Sequence, residues 1–315
     1  MRLRIPLLIM LTWALSACIE EPEHPITIAI NPWPGYEFLY LAEEKQFFKK
    51  VGANVKLLQL DSLSDAQRAY LRGHADGLAG TLIEAVQAQA LGSRPLSIVM
   101  VPDYSNGGDV IIANKAISSI ADLKGKTIGC EVSSLGIYFL QRALAKHQLS
   151  IEDVNVINVE QRNGEQQLLN GKIDAFVSYP PVSVSILKNT GTHKIFSSAE
   201  IPMQIIDIVA IADDVLKAHP KLSKQLPLAW DMALTYYQDN PLEAAAIMAK
   251  RESISAEEFQ TIINEELMIM NSDLQREMLS PPEQLQKSLK EVCKTLVAVD
   301  SIQTDCKNLP GIYAG

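Results

Sequence analysis

Residues 96–113 run Leu96-Ser-Ile-Val-Met-Val-Pro-Asp-Tyr-Ser-Asn-Gly-Gly-Asp-Val-Ile-Ile-Ala113. Two apolar stretches, 96–101 and 110–113, flank a polar break whose two glycines permit close backbone approach. Near-continuous apolar stretches of this length suit strands covered on both faces. The break also divides the chain into two sets of alternating strands and helices. Before it, strands are expected over 26–30, 54–60 and 76–80, with helices over 38–50, 64–72 and 82–91. After it, strands are expected over 126–130, 154–159, 173–177 and 193–196, with helices over 135–147, 164–170 and 181–188. The strand over 193–196 closes the second set, and a long apolar strand over 205–212 then returns. From residue 213 onward strands disappear, and helices are expected over 222–238, 242–252, 255–266 and 282–299. Capping patterns mark Ser119 with Asp122, Ser150 with Asp153, and Ser255 with Glu258. Alternating strand and helix units imply an α/β protein with parallel sheets covered on both faces.

The N-terminus speaks to compartment. Arg2 and Arg4 precede a short apolar run over 5–14, interrupted by Pro6. The run is far shorter than the roughly 20 residues of a membrane-spanning helix and suits a signal-peptide core. Leu15-Ser-Ala-Cys18 follows, and this string resembles a bacterial lipobox. That resemblance implies a leader over 1–17, a diacylated Cys18 as first mature residue, and an acidic, proline-bounded tether over 18–25. The protein is then expected on a bacterial membrane, facing the periplasm or the cell exterior. The alternative is an ordinary signal peptide with a chance cysteine.

The 315 residues suffice for two modest domains. Lys and Arg number 28 against 37 Asp and Glu, a formal charge of −9, and loss of Arg2 and Arg4 deepens the imbalance. An acidic chain of this kind argues against nucleic acid as a partner. Outside the cytoplasm, Cys293 and Cys306 suit a disulfide clipping the tail; two buried free thiols are the alternative. Cys130 sits in an apolar strand and is expected in the core. No G-x-G-x-x-G, G-x-S-x-G or H-E-x-x-H string occurs, and the histidines lack helical metal-site spacing. No metal, cofactor or catalytic residue is therefore assigned.

Several strings together resemble one family. They are Asn31-Pro-Trp-Pro-Gly-Tyr36, Gly80-Thr-Leu-Ile-Glu84, Asp103-Tyr-Ser-Asn-Gly-Gly-Asp109, Ile120-Ala-Asp-Leu-Lys-Gly-Lys-Thr-Ile-Gly129, Gly171-Lys-Ile-Asp-Ala175 and Ile201-Pro-Met-Gln-Ile-Ile-Asp207. Their order and spacing resemble the nitrate/sulfonate/taurine substrate-binding proteins of ABC importers, relatives of the thiamine-pyrimidine (Thi5/NMT1-like) proteins. The resemblance implies a type II periplasmic-binding fold, with two Rossmann-like lobes joined by two crossovers and a ligand between them. Residues 26–103 plus 206–315 would form lobe 1, with the C-terminal helices, and 107–204 lobe 2. Residues 103–108 and 199–204 would be the hinges.

Open α/β sheets bind ligands beyond the carboxyl ends of their strands. Trp33 and Tyr36 follow the first strand and suit a stacking platform or packing on the next helix. Thr81 and Glu84 open a helix; Thr81 is a cleft residue or an N-cap. Asp103, Tyr104 and Asp109 lie at the first crossover, and Asp207 at the second. Ser133 and Ser134 open another helix and are anion or carbonyl binders, caps, or both. Tyr179 follows a strand where many relatives have Tyr-Glu-Pro; here the string is Tyr179-Pro-Pro181, which lacks the carboxylate.

These candidates contain four carboxylates and no Lys or Arg. Burying carboxylates without compensation is costly. An amine, a zwitterion or a nitrogen heterocycle would offset that cost, aided by cation–π attraction to the aromatics. The expected function is capture of such a solute for an ABC permease, without catalysis. The alternatives are a ligand-sensing lipoprotein reporting to a membrane signalling protein and a periplasmic-binding-fold enzyme.

Overall fold

The computed structural model describes residues 24–313. Cys18, the leader over 1–17 and most of the 18–25 tether lie outside the described residues. The chain opens with β1 (Ile26–Ile30), α1 (Glu37–Glu44), α2 (Phe47–Lys50), β2 (Val55–Gln59), α3 (Leu63–Leu71), β3 (Gly77–Thr81), α4 (Leu82–Ala90) and β4 (Leu96–Met100). A short strand, β5 (Asp103–Ser105), leads into β6 (Val110–Asn114), β7 (Thr127–Cys130), α5 (Leu135–Lys146), β8 (Asn155–Asn158), α6 (Gln161–Leu169), β9 (Ala175–Ser178), α7 (Val182–Leu187) and β10 (Thr192–Ser197). The chain returns through β11 (Asp207–Ala212). It ends with α8 (Asp213–Ala218), α9 (Leu222–Asp239), α10 (Pro241–Glu252), α11 (Ala256–Glu265), β12 (Leu267–Ile269), α12 (Ser272–Leu279), α13 (Glu283–Ala298) and β13 (Gly311–Ile312).

Two mixed sheets organise these elements. One has six strands in the order β13-β4-β11-β3-β1-β2, the other five in the order β10-β6-β9-β7-β8. β1 runs parallel to β2 and β3, whereas the returning β11 is antiparallel to β3 and β4 and is buried at every position. In the second sheet β7 runs parallel to β8 and β9, and β6 is antiparallel to β9 and β10. Helices connect the strands of each sheet and pack on them, so the central strands β3, β4 and β11 are buried at every position, whereas β2 and β8 are partly exposed. A two-stranded ribbon, β5 with β12, ties the first crossover to the C-terminal helices.

Three expectations change. The helix expected over 38–50 is two helices, because Gln46 takes a left-handed backbone (φ 57°) between them. The helix expected from Gly164 begins at Gln161, so the glycine lies inside it. A Cβ at Gly164 would come within 2.0 Å of the Phe176 ring, which packs directly on the helix backbone. Strands also reappear after residue 213. β12 and β13 are too short to show a period, and they form by pairing with β5 and β4 far away in sequence. The three expected capping boxes form, two of them on single 3-10 turns and the third on α11.

Cys293 and Cys306 are joined in a disulfide between α13 and the segment leading to β13. Cys130 is buried at the end of β7, and burial pushes its thiol up to about 12.

Candidate functional site

The carboxyl ends of β1, β3 and β9 and the crossovers converge on one small cavity of about 10 Å³. β1 delivers Asn31, then Trp33, then Tyr36 at the end of a 3-10 turn. β3 ends on Thr81, which is paired in register with Asp207, the first residue of β11. Leu63 opens α3, and Leu135 opens α5 from the other sheet. Asp109 precedes β6 and Tyr179 follows β9. Larger grooves lie on the surface, such as one of about 440 Å³ along α9 and α12, whose lining holds no carboxylate.

Trp33 is fixed by Asp103, whose Oδ1 accepts from the indole Nε1 at 3.3 Å. Tyr36 donates its hydroxyl to Asp207 Oδ1. Tyr179 meets Trp33 edge-on, with ring centres 6.1 Å apart at 83°, and its hydroxyl accepts from Leu63 N at 3.2 Å. The aromatic frame therefore spans both lobes. Gly35 is required beneath it, since a Cβ there would lie 2.1 Å from Asp103 Oδ2. Beside it, the crossovers are bonded to each other: the Ser105 and Ser198 hydroxyls lie 2.7 Å apart, and Ser198 Oγ accepts from Gly107 N at 2.7 Å.

The cavity is lined and backed by buried carboxyl groups. Asp103, Asp109 and Asp207 are almost wholly buried; Asp109 Oδ2 has no hydrogen-bond partner, and the Asp103 and Asp207 carboxyls lie within hydrogen-bond reach of each other. Burial pushes Asp103 and Asp109 up to about 7, with the charges of Asp103, Glu84 and Glu266 adding to the effect on Asp109. Asp207 is raised further above the usual carboxylate range, first by burial and then by Asp103. Burial likewise raises the Tyr36 phenol. Glu131, buried nearby at the end of β7, is pushed up to about 7 by burial. No Lys or Arg lines the cavity. Arg251 lies behind the Asn31 loop, bonded to Glu37 and to the Asn31 carbonyl.

Trp33, Tyr36, Thr81, Asp109, Tyr179 and Asp207 line this one cavity, and Asp103 backs it. Thr81 is the N-cap of α4; its hydroxyl accepts from Ile83 N and donates to Glu84, so that group is engaged within the protein. Glu84 and Ser134 are buried where the lobes meet. Ser133 is exposed at the rim, 3.2 Å from the Ser64 hydroxyl across the cleft. The rim also carries an ion pair between Arg162 and Asp61, at 3.5 Å.

Tyr104 does not join the cluster. Successive strand residues face opposite ways, so when Asp103 and Ser105 point inward, Tyr104 points into an outer groove with Met203, Met268 and Leu274. Sequence reasoning passed over Asn31 and Leu63, and took Leu135 only as part of a helix opening with free N–H groups. Asn31 carried a signal, since it directly follows β1; the two leucines carried none beyond an apolar helix start.

Residues 33–244 match the family model described as NMT1/THI5 like. The chain is 25% identical over 175 residues to a Brucella abortus protein whose name designates a binding protein, and spans about half the length of such relatives (55%), with 52% of the chain aligned. It is 23% identical over 235 residues to the Saccharomyces cerevisiae 4-amino-5-hydroxymethyl-2-methylpyrimidine phosphate synthase THI13, covering 70% of this chain and 68% of that one. Among solved structures it superposes on the periplasmic aliphatic sulphonate binding protein SsuA of Escherichia coli with a TM-score of 0.71 at 16% identity, covering 92% and 96% of the two chains. The nitrate-binding protein NrtA of Synechocystis PCC 6803 gives 0.71 at 13% identity, covering 90% and 84%. These likenesses establish the fold as the type II periplasmic-binding architecture.

Proposed function

Since the chain belongs to the NMT1/THI5-like family, we propose that it is an extracytoplasmic solute-binding protein that captures a small nitrogenous cation or protonated heterocycle between its lobes. The observation that carries this is the cluster of buried carboxyls, Asp103, Asp109 and Asp207, set against an aromatic frame, with no basic side chain among the described residues of the cavity lining. A carboxylate in such a place gains most from a cation that supplies both charge and N–H donors, and Trp33 and Tyr179 add faces for cation–π contact.

The lobes that close on the solute are residues 26–103 with 206–315, and 107–204. Residues 103–108 and 199–204 serve as hinges, because only these two stretches carry the chain between the sheets. The reading of binding without catalysis is supported by the absence of a cysteine nucleophile or histidine base among the described residues of the cavity lining. Delivery to an ABC permease is the role that suits a binding protein of this fold. A lipid on Cys18 would tether it to a membrane facing the periplasm or the exterior. Among the described residues no helix is long and apolar enough to cross a membrane.

Native mass spectrometry of freshly purified protein, followed by isothermal titration with a panel of amines, nitrogen heterocycles and oxyanions, tests the proposal. Tight binding of protonated nitrogen compounds is expected. Tight binding of nitrate, sulfate or a sulfonate, with none of the amines, would overturn it.

A further inference from the structure

Glu84 stands among the cleft carboxylates, yet both of its oxygens are already taken by protein donors. Oε2 accepts from Thr81 N at 2.8 Å and from Thr81 Oγ1 at 2.6 Å, completing the capping box of α4 in the six-stranded lobe. Oε1 accepts from Leu135 N at 2.7 Å, in the first turn of α5 in the other lobe. Ser134 holds the cap position of α5 but makes no side-chain cap bond, and its buried hydroxyl has no partner. The cap of α5 is thus supplied from across the cleft.

First-turn amides have no acceptor inside their own helix, and a carboxylate is favoured at a helix N-terminus. Here one carboxylate serves two such termini, one in each lobe. The other cross-cleft contacts are of a different kind. The Tyr179–Leu63 bond is between neutral groups, Ser64–Ser133, Arg162–Asp61 and Lys188–Glu258 are in reach of water, and Glu131 takes only a hydroxyl, that of Ser62, from the other lobe. Exposed pairs contribute little.

We propose that Glu84 is the clasp that holds the two lobes shut, a positioning residue rather than a ligand contact. Opening the cleft withdraws it from Leu135 and leaves the Ser134 hydroxyl free to cap its own helix. The two lobe positions therefore correspond to two ways of capping α5. This rests on the two-lobed binding proposal above, but its test uses no solute, so a wrong solute class leaves it untouched.

The test is hydrogen exchange at the Leu135 amide, with small-angle X-ray scattering, on the unliganded mature chain. In the wild type, the Leu135 amide is expected to exchange about 100-fold more slowly than an uncapped first-turn amide. Glu84→Gln should cut that protection about tenfold or more. The one amide oxygen of Gln can serve only one lobe, and its NH₂ then faces a donor. Scattering should show a larger radius of gyration.

Leu135→Pro removes the same N–H from the opposite side. Proline is favoured at the first helical position, and the extended backbone of Ser134 (φ −150°, ψ −159°) suits a residue preceding proline. This variant should expand the molecule as Glu84→Gln does, and it carries the test if Glu84→Gln fails to fold. A Leu135 amide that exchanges at the uncapped rate in the wild type, or two folded variants with wild-type dimensions, would overturn the proposal.

Discussion

At the scale of single residues, the site is a set of carboxyl groups placed where water cannot reach them. Asp207 is the most strongly perturbed of those in the cavity: its Oδ1 is held by the Tyr36 hydroxyl and its carboxyl lies against that of Asp103. Asp207→Asn keeps an oxygen for Tyr36 and removes the charge. It should weaken binding of a protonated amine about tenfold to 100-fold, as loss of a charge-assisted hydrogen bond does. It should also leave the melting temperature of the unliganded protein at pH 8 equal or higher, because the amide keeps a donor toward Asp103 and removes the repulsion between the two carboxyls. Calorimetric titration and a thermal melt check the two halves; a drop in both would mean that Asp207 serves the fold. The sequence placed Trp33, Tyr36, Asp109, Tyr179 and Asp207 at strand ends and crossovers, and that much of the site was legible. Tyr104 was misplaced because β5 is three residues long, too short for its alternation to be recognised before its pairing with β12 is known. Leu63 escaped notice and Leu135 was not singled out because an apolar residue opening a helix looks the same whether it faces a core or a cleft.

At the scale of elements, the α/β alternation was legible because buried strands are apolar throughout and helices are periodic. What could not be read were segments whose structure is imposed from far away. β13 is a two-residue strand held beside β4, with its approach fixed by the Cys293–Cys306 disulfide. Cys306→Ser should cost about 2–3 kcal/mol, the usual worth of closing a loop of this size. Denaturant unfolding of the variant, or of reduced wild type, checks this; an unchanged midpoint would show that the tail contributes nothing to the fold. Gly164 illustrates the opposite case. It looked like a helix start, yet it sits within α6 because the Phe176 ring leaves no room for a side chain. Gly164→Ala should destabilise by about 1–3 kcal/mol despite its better helix propensity, since overpacking outweighs the gain of up to about 1 kcal/mol from propensity. A variant as stable as wild type would mean that the ring can move aside.

At the scale of the whole molecule, the buried carboxyls make stability and binding depend oppositely on pH. Asp103 and Asp109 lie near 7 in the folded protein, above the roughly 3.9 of an unfolded aspartate. A carboxyl raised on folding stabilises most when both states are protonated, and that stabilisation is lost as pH rises through the folded value. The unliganded protein should therefore melt at a higher temperature near pH 5.5 than near pH 8. A cation needs these groups ionised, so its affinity should rise over the same interval, with protons released on binding. Titrations in buffers of different ionisation enthalpy would detect the release; pH-independent affinity would place the ligand away from Asp103 and Asp109.

The rim pair of Arg162 and Asp61 has a practical consequence. The two side chains come from opposite lobes, reach 3.5 Å in the shut form, and are largely exposed. Environment-sensitive dyes attached at these two positions would be brought together whenever the cleft shuts and separated whenever it opens. The molecule would then report its own occupancy as an optical signal, and chemical libraries could be screened before any candidate solute is known.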